Sequence, residues 1–169
     1  AAGHVVGRAV TDDGDTDLRI AFDFDGVLAD DSAERVFQSE GLDGYQESES
    51  ALAEVPLDRG PMADFLEKIN RIQGIEESKR LDDPSGYRRR VHVAVVTARS
   101  APAHERAINS IRQWGLSVND AFFLGGLPKG PMLEVLQPHI FFDDQRRHVE
   151  GASLSTPSVH IPFGAINRQ

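Results

Sequence analysis

The chain has 169 residues, 40% hydrophobic and 27% charged, which is the balance of a soluble globular domain. A domain of this size buries about 70% of its unfolded surface and needs no covalent staple; with no Cys, disulfide frameworks, thiolate zinc sites and thiol nucleophiles are excluded. The formal net charge of −9 repels a phosphate backbone, and no apolar run reaches the ~20 residues of a membrane helix, so no nucleic acid and no membrane partner is expected.

The chain opens Ala1-Ala2-Gly3-His4-Val5-Val6, with no initiator Met, basic n-region or long apolar core. Val5-Val6 reads as a strand already under way, so residues 1–17 are expected to be the strand remnant of a longer upstream segment. The absence of Cys suits a reducing compartment, and the expected location is cytoplasmic. Residues 18–24 form the first short apolar run read as a buried strand. Residues 29–59 are polar, with helical stretches at 33–39 and 46–54, and are read as a small helical cap inserted after that strand. A flexible acidic loop is the alternative, because Val36, Phe37, Leu42 and Leu52 are few apolar anchors.

Met62, Phe65, Leu66 and Ile69 then fall on one helical stripe, predicting a helix over 61–72 that packs on the sheet. Residues 74–90 are polar and expected to be a mobile loop, with Arg88-Arg89-Arg90 a solvated entry to the next strand. That strand is 91–97. Pro102 opens a helix whose Ala107, Ile108, Ile111 and Trp114 recur at helical spacing before Gly115. Further strands follow at 121–124, 139–142 and 158–163, with a short helix at 132–136 opened by Pro131. Apolar strands alternating with helices mean a parallel sheet covered on both faces, an α/β fold. The core is expected to comprise residues 18–28 and 60–164.

Four features carry the chemistry. Ile20-Ala21-Phe22-Asp23-Phe24-Asp25-Gly26 is a buried strand ending in two carboxylates, and Gly26 permits the bend that turns both into one crevice. Phe141-Phe142-Asp143-Asp144 repeats the pattern, Val95-Val96-Thr97 ends a strand in a hydroxyl, and Lys129 immediately precedes a helix. All four lie at or after the C-terminal ends of strands, where open parallel sheets bind ligands. Oxygen donors without Cys or paired His describe a hard-cation site, hence Mg2+. Thr97 and Lys129 suit a phosphoryl group beside that metal.

Asp23-x-Asp25, Thr97, Lys129 and Asp143-Asp144, in that order, resemble the four motifs of the haloacid dehalogenase superfamily. Ser32 to Glu34, Thr97-Ala98-Arg99-Ser100, Pro128-Lys129-Gly130-Pro131, Pro138 through Gln145 and His160-Ile161-Pro162-Phe163-Gly164 are similar to the cytosolic 5′-nucleotidase type I family. The resemblance implies a three-layer Rossmann-like core with an inserted cap and a Mg2+-dependent hydrolysis of nucleoside 5′-monophosphates. It implies Asp23 as nucleophile and metal ligand, and Asp25 as general acid and base with its carbonyl on the metal. Thr97, Ala98 and Lys129 would hold the phosphoryl oxygens; Asp143 and Asp144 would complete the metal sphere. The alternatives are a phosphatase of another small phosphomonoester, such as a sugar phosphate, and a silent fragment kept for binding or assembly. A response-regulator receiver uses similar residues in another chain order, and a dehalogenase needs no second Asp at motif one. Trp114, His92, His139 and His160 read as structural; Phe24 is open between core packing and base stacking, and Arg146-Arg147 between solvated charge and substrate contact. The oligomeric state is not written in the sequence.

Overall fold

The computed structural model describes residues 2–7 and 14–167. Of the expected N-terminal remnant, residue 1 and residues 8–13 lie outside the described residues. The described part of the remnant holds β1 (His4–Val6).

β1 is followed by β2 (Leu18–Phe22), β3 (Val91–Thr97), β4 (Asp120–Phe123), β5 (Ile140–Asp143) and β6 (Ser158–His160). They form one sheet in the order β1-β6-β5-β2-β3-β4. All pairings are parallel except β1 with β6, which is antiparallel. The chain winds outward from β2 through β3 to β4, then returns to the other side of β2 to lay down β5. The strand order therefore reverses between β2 and β5, and the crevice there is where an α/β sheet receives ligands.

The alternation of side chains along the strands builds two cores. Ile20, Phe22, Val93, Val95 and Phe142 face one way, toward Leu66 and Ile69 of α2 (Ala63–Asp82) and Ala107 and Ile111 of α3 (His104–Gln113). Ala21, Val96 and Phe141 face the other way, toward Leu133 of α4 (Gly130–Leu136) and Ala152 of α5 (Arg146–Ala152). This is the three-layer α/β arrangement expected from the sequence. Phe22 and Phe142 stack with ring centroids 5.1 Å apart, locking β2 against β5 beneath the crevice.

The segment between β2 and α2 holds α1 (Ser32–Ala51), interrupted at Gly41, whose φ of 73° no ordinary helical residue adopts. The two helical stretches read from the sequence thus meet end to end. The expected loop over 74–90 is corrected for its first half, because α2 runs on to Asp82, ten residues past the predicted end. The rest is tied down by Glu76, which is buried. Its carboxylate accepts from the Arg90 amide at 2.9 Å, the Val91 amide at 3.2 Å and the Tyr87 hydroxyl at 3.2 Å. Residues 146–152, to which the sequence assigned no element, form α5.

Glu76→Ala leaves these donors unmatched at the end of β3 remote from the crevice. The expected outcome is a loss of about 1–3 kcal/mol in denaturant unfolding, with faster amide exchange at Arg90 and Val91. Unaltered exchange would show that α2 does not anchor this segment.

Candidate active site

β2 ends at Phe22, and the next residue, Asp23, is the first to turn into the crevice. Its Oδ1 accepts from the Phe24 amide at 2.7 Å, which fixes the side chain against its own backbone. The chain then bends through a tight turn over Phe24–Leu28, where Gly26 takes φ 71°. A Cβ at Gly26 would collide with the Asp144 carboxylate, so glycine is required twice over, by backbone and by space. Phe24 is fully buried and stacks on Trp114 at 6.0 Å, and the Trp114 indole donates to the Leu57 carbonyl at 3.0 Å. Of the two readings of Phe24, core packing is the one the geometry supports.

Across the switch point, β5 delivers Asp143 and Asp144, both buried. Lys129, buried at the start of α4, lies 2.8 Å from Asp23 Oδ1 and 2.7 Å from Asp143 Oδ2. Asp143 Oδ1 also accepts from the Gln145 amide at 2.7 Å. His148 of α5, which the sequence did not single out, places Nδ1 3.3 Å from Asp143 Oδ2 without hydrogen-bond alignment. Thr97, buried at the end of β3, has its hydroxyl within 3.3 Å of the Arg99 amide, while Ala98 is exposed on the rim. Asp23, Lys129 and Asp143 therefore form one buried cluster, with the Asp144 carboxylate beside it against Gly26.

Asp25 leaves that cluster. Its carboxylate, with 21% of the side chain exposed, is gripped by the guanidinium of Arg99, Nε to Oδ2 at 2.8 Å and a terminal nitrogen to Oδ1 at 2.7 Å. Arg99 in turn pairs with the buried Glu49 of α1, and Glu49 accepts from Arg106 of α3 at 2.7 Å. Neither Arg99 nor Glu49 was given a role from sequence. Arg99 sits in the quoted Thr97-Ala98-Arg99-Ser100 run, which was its only signal. Glu49 lies in an acidic stretch with no mark of burial.

The electrostatics are unbalanced. Burial, more than the neighbouring Asp23 and Asp143 charges, pushes the Asp144 carboxyl up to about 9. Burial also raises Asp23, to about 7, although Lys129 pulls against it. Burial works to raise Asp143 too, but there the Lys129 ammonium and the nearby imidazole win and hold it below its usual range. Asp144 Oδ1 is buried without a hydrogen-bond partner, and an orphaned buried carboxylate oxygen beside two other carboxylates calls for a cation. Oxygen atoms of Asp23 and Asp143 and a His148 nitrogen lie within 4.8 Å of one another. Two carboxylates and an imidazole so placed could hold a divalent cation.

The remaining residues singled out in the sequence are structural in their contacts. His139 Nδ1 accepts from the Arg19 amide at 3.0 Å, and His160 Nε2 lies 2.9 Å from the Asp144 carbonyl and 3.0 Å from Asn167. His92 is exposed. Arg146 pairs with Glu150 at 2.8 Å and is solvated; Arg147 donates to the Gln145 side chain at 3.0 Å. No helix among the described residues is long and apolar enough to cross a membrane.

The sequence matches the 5′-nucleotidase family over residues 1–168. Among curated proteins it is similar to human (Homo sapiens) cytosolic 5′-nucleotidase 1B, 40% identical over 141 residues, covering 82% of this chain and 22% of that protein. The chain thus spans about a fifth of the length of that relative. No solved structure matches it. The family match extends from β1 through the last strand, and so takes in every residue of the crevice: the chain belongs to the 5′-nucleotidase family.

Proposed function

We propose that the chain hydrolyses nucleoside 5′-monophosphates to nucleoside and phosphate through an aspartyl-phosphate on Asp23, with Mg2+ as cofactor. The observation that carries this reading is the buried Asp23-Lys129-Asp143 group beside an unsatisfied Asp144 at the switch point of the sheet. Family membership and the human cytosolic relative support the nucleotide as substrate. They also favour the cytoplasm as its place.

In this mechanism the Asp23 carboxylate attacks phosphorus, forming an O–P bond as the bond to the 5′ oxygen breaks. Asp25 gives its proton to that leaving oxygen. Water then attacks the phosphoryl group, Asp25 takes the water's proton, and the acyl phosphate opens to return Asp23 and release phosphate. Lys129 and Thr97 hold the phosphoryl oxygens, with the Ala98 backbone at the rim. Asp23, Asp143, Asp144 and the Asp25 carbonyl would hold Mg2+, which supplies positive charge against the phosphoryl oxygens. The segment 29–59 acts as a cap over the crevice and selects the substrate, since the crevice residues meet only groups that every phosphomonoester shares.

Three outcomes test this. Asp23→Asn is expected to fold normally and lose turnover, and aluminium fluoride should bind at Asp23 in the unsubstituted chain; near-normal turnover by the Asn variant would falsify the nucleophile.

The second concerns the metal and pH. A carboxyl raised in the folded chain keeps its proton where the unfolded chain has lost it, starting from the ordinary value of 3.8. Stability from Asp23 and Asp144 therefore falls as pH rises from about 4 through about 7 and on to about 9. In metal-free protein Tm should decline across that window. Mg2+ should restore it, more at the alkaline end, with protons released on binding. Calorimetric titration in buffers of different ionisation enthalpy reads the release, and a binding heat independent of buffer would count against the assignment.

The third concerns selectivity. Phe37, on the more solvated half of α1, is 44% exposed and meets Tyr45 edge-on at 6.0 Å. Stacking of a base on such a ring contributes ~1–3 kcal/mol. Phe37→Ala should erode the preference for AMP over ribose 5-phosphate while sparing p-nitrophenyl phosphate. An unchanged ratio would place base recognition elsewhere.

A further inference from the structure

The contact that joins the cap segment to the catalytic carboxylate is a chain of buried ion pairs. Glu49 is 1% exposed and lies on α1, in the half that follows Gly41. One of its carboxylate oxygens meets the Arg99 guanidinium and the other accepts from Arg106 at 2.7 Å. The same Arg99 nitrogen also donates to the Ala103 carbonyl at 2.9 Å. On the opposite side of the guanidinium, two nitrogens grip both oxygens of Asp25. The Arg99 charge centre lies 5.1 Å from the Phe24 ring centroid and 5.9 Å from that of Tyr45, so aromatic faces hold the plane of the fork.

A guanidinium gripping a carboxylate through two parallel bonds fixes the plane of that carboxylate as well as its place. It uses two of about four lone-pair sites on Asp25. The others are left unused by that fork, and on the proposed mechanism they serve the leaving oxygen and the water. Arg99 itself comes from the loop after β3, and among the described residues the only carboxylate outside the crevice that it meets is Glu49 on the cap segment. Arg106 takes the second Glu49 oxygen and donates through Nε to the Val55 carbonyl at 2.9 Å, so Glu49 is held from α3 as well.

We propose that Glu49 is a positioning residue: through Arg99 it sets the plane of the Asp25 carboxylate, so that the docking of α1 and the aim of the group serving the leaving oxygen are fixed by one ion-pair chain. This rests on the phosphatase reading above. It assigns to the cap segment a part in the chemical step in addition to substrate choice. Its effect belongs in kcat rather than KM, and falls hardest on substrates whose leaving group needs a proton.

The test compares AMP with p-nitrophenyl phosphate, whose leaving group needs little protonation, for the unsubstituted chain, Glu49→Gln, Glu49→Asp and Arg106→Lys, with Glu49→Gln repeated in an Asp25→Asn background. A carboxylate displaced by about 1 Å costs on the order of 100-fold. Glu49→Gln should therefore lower kcat for AMP by about 10- to 100-fold, with KM little changed and a clearly smaller loss on p-nitrophenyl phosphate. Glu49→Asp should recover part of the rate. Arg106→Lys, which leaves the Arg99 fork in place, should lower Tm without shifting the ratio between substrates. In the Asp25→Asn background, where there is no acid to aim, Glu49→Gln should add no further loss in single turnovers. Equal losses on both substrates, or a full additional loss in that background, would overturn the proposal. If Glu49→Gln does not fold, Glu49→Asp carries the same comparison, and a loss equal for both substrates overturns it in the same way. Should the unsubstituted chain hydrolyse neither substrate, the phosphatase reading itself fails, an outcome distinct from an active chain indifferent to Glu49.

Discussion

Three buried carboxylates, Asp23, Asp143 and Asp144, gather from two strand ends, and the Lys129 ammonium pairs with two of them, Asp23 and Asp143. Two like charges about 5 Å apart repel by roughly 3 kcal/mol at an effective dielectric of 20, and each also loses hydration. Packing alone offers no reason to gather them, since apolar residues would fill the same ends of β2 and β5 at lower cost. The fold is arranged around this concentration of charge. The Phe24 and Gln145 amides donate to Asp23 and Asp143, Gly26 makes room for Asp144, and stacked Phe22 and Phe142 hold the two strands that carry the group. What they leave uncompensated is the bare Asp144 oxygen, which the proposed metal would satisfy.

The sheet was legible in the sequence because its central strands, β2, β3 and β5, are largely buried on both faces and read as short apolar runs. The crevice was legible because carboxylates at the ends of such runs have no ordinary reason to be there. The length of α2 was not. Its apolar stripe fades after Ile69, and Ile72, Ile75 and Leu81 are exposed, so periodicity gives no sign of the last turns. They persist on helix-favouring residues, on the Glu77–Arg80 pair at 2.6 Å, and on Glu76 reaching across to β3. The helix at 146–152 was missed for a related reason: at seven residues it has room for only two turns, too few to establish a period.

Arg99 and Glu49 mark a different boundary. Fifty positions separate them in the chain, and a Glu in an acidic surface-like stretch carries no local signal that it will be buried. Buried charge is read from its partner, and the partner is set by how α1 lies against α3. The motif residues, by contrast, are placed by strands that pair directly with one another, so their order along the chain was enough to bring them together.

These two kinds of placement divide the work of the site. The groups proposed to meet the phosphoryl oxygens and a metal sit on strand ends and the start of α4, where neighbouring strands hold them. Asp25, proposed to give a proton in one half-reaction and take one in the other, is gripped instead by Arg99 of the loop after β3, which pairs in turn with Glu49 of α1. The break at Gly41 separates that segment into a docked half carrying Glu49 and Tyr45 and a more solvated half carrying Phe37. On the proposed reading, substitutions in the outer half bear on what the crevice admits and leave the Glu49–Arg99–Asp25 chain in place. Substitutions in the docked half bear first on the Asp25 carboxylate through Glu49 and Arg99, so on the proposed reading Gly41 divides substrate choice from proton transfer.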